Sequence, residues 1–178
     1  MARYNRPKGI LAMIGRRAVL AVGAMATLCE LISPLAVLVE DCGSATRAGE
    51  IGNALLDRYV AAINAHDTRS FPELFAETYI QHSGRSPSGL AAQIENFQRI
   101  IASMPDLQLR IEDRIIAGDK VVARTTYSAT HSQPIRGIAP TGKAFTFRTI
   151  DIWRVENGKF AEHWDLTDVA EVLNKLRG

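Results

Sequence analysis

The fold is decided by the stretch "AFTFRTIDIWRVENGKFAEHWDLTD", residues 144–168, near the C-terminus. Apolar and polar residues alternate along both of its halves, which is the period of a β-strand with one buried face. The Asn157-Gly158 pair between the halves is typical of a tight hairpin turn, because both residues tolerate positive φ. We therefore predict two long antiparallel strands, residues 144–155 and 159–166, joined at this turn.

Strand alternation assigns the side chains of this hairpin to opposite faces of a sheet. In the first strand, Asp151 shares a face with an aromatic row. In the second strand, His163 and Asp165 share one face with Ala161. If the turn is tight, Asp151 pairs near His163 or Asp165. The other face of the second strand is predicted to carry Phe160, Trp164 and Leu166.

This arrangement predicts acid/base chemistry inside a cavity. Burial disfavours the charged form of a carboxylate, which brings it toward the range in which proton transfer works. A neighbouring imidazole can orient the carboxylate, share its proton or stabilise its anion. We predict Asp165 as the proton-transfer group, with His163 and Asp151 beside it. A structural role for these residues stays open, and Asp168 is assigned instead as a helix N-cap.

Two further histidines lie where a side chain can reach a cavity. His82, in "YIQHSG", leads from a short extended piece into a loop and is included among the catalytic candidates. His131 ends a strand at the rim. For both, a solvated loop histidine is the alternative, whereas His66 is assigned as the C-terminal cap of the first helix. The residues predicted to contact a ligand are Trp153, Phe147, Tyr127, His131 and Trp164.

The rest of residues 49–178 predicts three helices followed by a meander of strands. Apolar residues recur at helical spacing over 49–66, over 68–76 with Ser70 as N-cap, and over 88–105 with Ser88 as N-cap. After Pro105 the period changes to alternation, which predicts strands at 107–113 and 120–131 before the hairpin, and a short helix ends the chain. Helices first and strands afterwards indicate an α+β fold, with the helices packed on one face of an antiparallel sheet.

Residues 1–48 form a different kind of sequence. Basic residues ending in Arg16-Arg17 precede an apolar run, residues 18–39, that only Glu30 interrupts. This order is typical of an export signal, and the small residues at 43–45 would allow cleavage after Ala45. An uncleaved membrane anchor and a mis-assigned start codon are the alternatives. We expect an exported or membrane-anchored protein if the leader is genuine and a cytoplasmic one otherwise.

Charge and motifs exclude several classes of protein. From residue 50 onward there are 15 Lys and Arg against 16 Asp and Glu, so the domain is not basic and we expect no nucleic-acid partner. Both cysteines, Cys29 and Cys42, precede the domain, which leaves no cysteine metal site. The sequence "HWD" is the nearest approach to a metal-ligand spacing, and no glycine-rich phosphate loop is present. We expect neither a metal nor a cofactor.

The segment from Gly118 to Asp168 resembles the SnoaL-like polyketide cyclases and predicted ester cyclases of the nuclear transport factor 2-like superfamily. The resemblance lies in "GIAPTGK", "IDIWR", "NGK", "EHWDLTD" and "YIQHSG", and it covers residues 50–178. It implies a curved, mostly antiparallel sheet that forms a cone against three helices, with a pocket inside and a homodimer through the sheet. It also implies cofactor-free removal of an α-proton from a polyketide ester, followed by aldol ring closure. Asp165 matches the acid/base carboxylate, and His82, Asp151 and His163 match positions that line the pocket.

Three kinds of function remain open at this stage. The first is an enzyme that acts on a small apolar carbonyl or ester compound, as a cyclase, an isomerase or a hydrolase. The second is a binding domain that only orients such a ligand. The third is an assembly domain, which would have a closed or absent pocket. A catalytic pocket should hold a desolvated carboxylate within hydrogen-bond reach of a second titrating group, whereas a binding pocket need not.

Overall fold

The computed structural model describes residues 34–167 and 169–177, with side chains from residue 43 onward. The elements are α1 (Pro34–Asn64), a 3-10 turn (Thr68–Ser70), α2 (Phe71–Leu74), β1 (Phe75–Gln81), α3 (Leu90–Ser103), β2 (Gln108–Ala117), β3 (Lys120–Thr130), β4 (Ala144–Glu156), β5 (Lys159–Thr167) and α4 (Val169–Arg177). The α+β class and the predicted order of helices and strands are confirmed.

The predicted leader falls mostly outside the described residues. Its apolar run reaches the described part only at residues 34–39, which belong to α1. This helix therefore begins well before residue 49, where the periodicity predicts it. Within residues 34–177 no helix is long and apolar enough to cross a membrane. Asp168, assigned as the cap of α4, also lies outside the described residues.

The five strands form one curved sheet in the order β1-β5-β4-β3-β2. The pairs β2–β3, β3–β4 and β4–β5 are antiparallel, as predicted. The pair β1–β5 is parallel, so the sheet is mixed and the prediction of an antiparallel sheet is corrected at this edge. Parallel neighbours need a long connection, and here α3 and three strands separate β1 from β5 in the chain.

A tight turn and a β-bulge set the register of the β4–β5 hairpin. Asn157 and Gly158 have φ values of 52° and 73°, as a two-residue turn requires, and Glu156 pairs with Lys159. The register shifts beyond the turn, because Phe160 pairs with Val155 and Glu162 pairs with Arg154. One extra residue in β5 changes the face on which its first residues lie.

The bulge corrects one prediction. Phe160 does not share a face with Trp164 and Leu166; it is fully buried, and its ring centroid lies 4.9 Å from that of Trp153. Beyond the bulge the predicted alternation holds, because His163 is buried while Leu166 is 75% exposed. Asp151 pairs directly with Asp165, and Trp153 pairs with His163, which confirms the predicted neighbourhood.

Helix α1 packs closely on β2 and β3 at a glycine. A Cβ added to Gly52 would lie 2.9 Å from Cγ2 of Ile116 and 3.0 Å from Cγ2 of Val121. Farther along α1, Tyr59 packs edge-on against Phe97, Trp153 and Phe160. These contacts form an aromatic core between α1, α3 and the sheet.

The predicted helix caps differ from those observed. Ser88 does not cap α3; its Oγ accepts a hydrogen bond from the Gln81 N–H at 3.0 Å, and the residue before the helix is Gly89. Ser70 makes no capping bond, because its hydroxyl donates to the backbone oxygen of Asp67. Ser88 thus joins the end of β1 to the segment before α3, and Ser70 closes the 3-10 turn.

His66 follows α1 with a positive φ of 55°. Its Nε2 lies 2.9 Å from the backbone oxygen of Leu107, just before β2. The imidazole therefore joins the end of the first helix to the start of the second strand, beyond the predicted role as a cap.

Candidate active site

A cavity of about 280 Å³ lies between the concave face of the sheet and the helices. Strands β3, β4 and β5 supply one wall, α3 supplies another, and α4 contributes Val172 and Leu173. About half of the lining residues are apolar or aromatic, and the polar ones come from the strands, from α3 and from loops. The main aromatic lining residues are Tyr59, Phe97, Tyr127, Phe145 and Phe147.

Asp151 and His163 form a buried pair in the sheet wall. Nε2 of His163 lies 3.0 Å from Oδ1 of Asp151, and the two side chains are 9% and 6% exposed. They come from antiparallel neighbours, β4 and β5, whose alternation directs both toward the cavity. A desolvated carboxylate thus lies within hydrogen-bond reach of a second titrating group.

Gln81 determines which nitrogen of His163 carries the proton. Oε1 of Gln81 accepts a hydrogen bond from the Ser83 N–H at 3.1 Å, so its amide nitrogen faces Nδ1 of His163 at 3.0 Å. An amide nitrogen only donates, so Nδ1 accepts and Nε2–H donates to Asp151. His163 is therefore neutral in this arrangement, and protein groups occupy both of its ring nitrogens.

Two threonine hydroxyls occupy the other oxygen of Asp151. Thr149 donates to Oδ2 of Asp151, and Thr125 Oγ1 lies 3.3 Å from the same oxygen. Trp153 stacks on the His163 ring at 4.8 Å and 8° between planes, which fixes the imidazole from the side. Asp151 and His163 therefore interact with each other and with the protein, and each of their acceptor atoms already has a protein partner.

Asp165 differs from these groups. Its side chain is 5% exposed and forms an ion pair through Oδ2 with Arg85, from the loop that follows β1. Oδ1 of Asp165 is buried and has no hydrogen-bond partner within the described part of the chain. A guanidinium stabilises the ionised form of a carboxylate, which is the form that accepts a proton. Asp165 thus presents a carboxylate oxygen at the cavity wall.

Tyrosine hydroxyls near the pair remain phenols. Burial raises the pKa of Tyr127, and the negative charge of Asp151 raises it further. The pKa of Tyr59 is raised by burial first and then by Tyr127 and Asp151. The two hydroxyl oxygens lie 3.3 Å apart, so the phenols can hydrogen-bond each other at the cavity wall.

His82 lies on the other face of the sheet, together with Trp164. Its ring stacks on Trp164 at 4.3 Å and 3° between planes, and its Nε2 lies 2.8 Å from Oε2 of Glu162. The hydrogen bonds from His82 and Arg154 lower the pKa of Glu162. His82 therefore does not point over the cavity, and neither His82 nor Trp164 is among the residues that line it.

The other predicted ligand contacts divide into two groups. Phe147 and Tyr127 line the cavity as stacked rings 4.8 Å apart. Trp153 lies behind His163 and is 1% exposed. His131 is fully buried rather than at the rim; its Nδ1 lies 3.0 Å from Oγ1 of Thr141, which holds the loop before β4.

Several residues that line the cavity were not predicted from the sequence. Gln81 and Arg85 reach the site through the parallel β1–β5 pairing, which no local pattern indicates. Thr149 could have been predicted, because it lies two residues before Asp151 and therefore on the same face of the strand. As for metals, the described residues contain no group of three or more His, Cys, Asp or Glu that could hold an ion.

Comparison with known protein families shows to which family this chain belongs. The sequence profile described as SnoaL-like polyketide cyclase matches residues 53–176, which includes every strand and the Asp151, His163 and Asp165 positions. The chain belongs to the SnoaL-like polyketide cyclase family. No curated protein matches the chain in the corresponding search.

Solved structures of the same fold include several proteins from Streptomyces. This SnoaL-like chain is 31% identical to TsrD from Streptomyces laurentii, with a TM-score of 0.67 over 71% of this chain and 95% of that one. It is 27% identical to AclR from Streptomyces galilaeus, described as "a putative hydroxylase", with a TM-score of 0.66 over 73% and 97%. It is 26% identical to IdmH from Streptomyces antibioticus, described as "a putative polyketide cyclase", with a TM-score of 0.63 over 71% and 99%.

Proposed function

We propose that this SnoaL-like protein is a cofactor-free cyclase in which Asp165 transfers the proton. The observation that carries the proposal is the unoccupied Oδ1 of Asp165 at the cavity wall. Both oxygens of Asp151 and both nitrogens of His163 already have protein partners. Within the described residues Asp165 is thus the acid/base group of this cluster with an acceptor available to a ligand.

The proposed reaction has two steps on one carbonyl or ester molecule. Oδ1 of Asp165 takes an acidic α-proton, and the electrons of the broken C–H bond form an enolate. The enolate carbon then attacks a second carbonyl of the same molecule, which forms a C–C bond, and the resulting alkoxide takes the proton back from Asp165. Proton transfer by a positioned group contributes about 10²–10⁴-fold.

The Asp151–His163 pair is proposed to position Asp165 rather than to transfer the proton. Asp151 pairs with Asp165 across β4 and β5, and His163 precedes Asp165 by two residues on the same face. A cavity of this size speaks against the assembly-domain alternative, which requires a closed or absent pocket. A binding domain without catalysis stays the second candidate, since its ligand would use the same walls.

The test begins with a screen of β-keto esters and polyketide-like methyl esters for turnover. With a substrate in hand, Asp165→Asn should lower kcat by about 10²–10⁴-fold and leave substrate binding nearly unchanged. Glu162→Gln is the matched control, because it makes the same change on the opposite face of β5, and it should keep wild-type kcat. Wild-type turnover by Asp165→Asn would refute the assignment.

A further inference from the structure

The wall of the cavity formed by α3 carries a buried amide that the proposed chemistry does not use. Gln93 is 3% exposed and lines the cavity. Its Oε1 is buried without a hydrogen-bond partner among the described residues, and no hydrogen bond to its side-chain nitrogen occurs within them either. Its backbone N–H is satisfied separately, by the oxygen of Gly89 at 3.0 Å.

An unpaired amide in this position lowers stability and brings no structural gain. Native proteins leave few buried polar atoms unpaired, and each one calls for an explanation. An apolar side chain of the same length would fill the space without that penalty. On α3, Asn96, Phe97 and Ile100 follow Gln93 at i+3, i+4 and i+7 and line the same cavity, so this helix face is a ligand wall.

We propose that Gln93 is a specificity-determining residue that hydrogen-bonds a carbonyl or hydroxyl oxygen of the ligand at the α3 wall. An amide donates through Nε2 and accepts through Oε1, so it pairs with either oxygen group and with no hydrocarbon. Because Asp165 acts from β5, the ligand carries at least two oxygen-bearing groups, one for each wall. The inference rests on the proposed function only in taking this cavity as the ligand site.

The experiment compares two probes that differ by one oxygen, α-tetralone and its hydrocarbon counterpart tetralin. Their dissociation constants are measured by calorimetry on the full-length protein. Wild-type protein should prefer the ketone by about tenfold, the ratio that one hydrogen bond of about 1.4 kcal/mol gives. Gln93→Met, which keeps the side-chain length, should abolish the preference. Gln98→Met, the same substitution at an exposed position of α3 that does not line the cavity, is the matched control and should keep it.

The thermal midpoint without ligand gives an independent measurement. Gln93→Met should raise it by about 2–8 °C, because the variant no longer buries an unpaired amide. A lower midpoint would mean that the amide serves the fold and would overturn the inference. No ketone preference in the wild type, or an undiminished preference in Gln93→Met, would also overturn it. Asp165→Asn should keep the preference, so failure of the proposed catalysis would leave this result unchanged.

Discussion

Three buried tyrosines should make the free energy of unfolding fall steeply above about pH 10. Tyr59, Tyr79 and Tyr127 are 4%, 0% and 7% exposed. Burial is the largest cause that raises the pKa of each of them, and the negative charge of Asp151 adds to it in all three. Their folded-state pKa values therefore lie above the value of about 10 that a phenol has in the unfolded chain.

The sign and size of the effect follow from proton linkage. A raised folded pKa contributes stability that is complete below about pH 10 and is lost as the pH rises toward the folded value, because the unfolded chain releases the proton first. Each tyrosine contributes about 1.4 kcal/mol per pH unit in that range. Between about pH 9 and about pH 11, three tyrosines should together lower the free energy of unfolding by about 4 kcal/mol. That loss is a large part of the roughly 5–15 kcal/mol of a typical domain.

The assay is urea unfolding at a series of pH values, with the ultraviolet absorbance of tyrosinate recorded in parallel. Tyr79→Phe is the matched variant, since the Tyr79 hydroxyl has no hydrogen-bond partner within the described residues. It should reduce the alkaline loss to about two-thirds and leave stability at neutral pH equal or higher. If these phenols ionise near pH 10 while the protein is still folded, the reasoning is refuted.

Three further predictions concern the Asp151–His163 pair, the contact of α1 with the sheet at Gly52, and the formation of a dimer. Asp151→Asn should stay within about 1 kcal/mol of wild type in urea unfolding, because an amide can still pair with His163. Asp151→Ala leaves the buried Nε2–H of His163 without its acceptor and should lose about 1–3 kcal/mol; equal losses would contradict this. Gly52→Ala should lower the thermal midpoint of unfolding. The added methyl group would overpack against Ile116 at a cost of about 1–3 kcal/mol, which outweighs the gain of about 1 kcal/mol in helix propensity. An unchanged or higher midpoint would contradict this prediction. We propose that the protein forms a homodimer through the outer face of the sheet, where Leu166 is 75% exposed. Leu166→Lys should then convert the dimer to a monomer, as measured by light scattering. A wild-type monomer at micromolar concentration would exclude this dimer.

Local patterns were sufficient to predict most of the fold. The alternation of residues 144–166 and the Asn157-Gly158 turn gave both long strands, because register in a hairpin depends on nearby residues. The bulge that buries Phe160 was not predicted, because the apolar residues Phe160, Trp164 and Leu166 also fit the alternation of an unbroken strand. The serine caps were wrong because each side chain has another partner: Ser88 bonds to Gln81 of β1, and Ser70 bonds to Asp67 at the 3-10 turn.

The site was predictable only where it lies on one hairpin. Asp151, His163 and Asp165 come from neighbouring strands, so alternation alone placed them together. His82 was misplaced because the direction of a side chain at the end of β1 depends on the pairing of β1 with β5. The same distant pairing brings in Gln81 and Arg85, and sequence spacing carries no information about such a contact.

The parallel pairing of β1 with β5 also has a consequence for the order in which the chain assembles. β1 can join the sheet only once β5 has been synthesised, so closure of this edge is a non-local event that needs the C-terminal part of the chain. Until then, Phe75 and Tyr79 of β1 lack their ring contacts with Phe160 and His163 of β5. The hydrogen bond that fixes the tautomer of His163 comes from Gln81 on the same strand. The pairing of β1 with β5 thus completes the sheet and also fixes which nitrogen of His163 carries the proton. A chain that ends before β5 has neither the complete sheet nor the oriented imidazole.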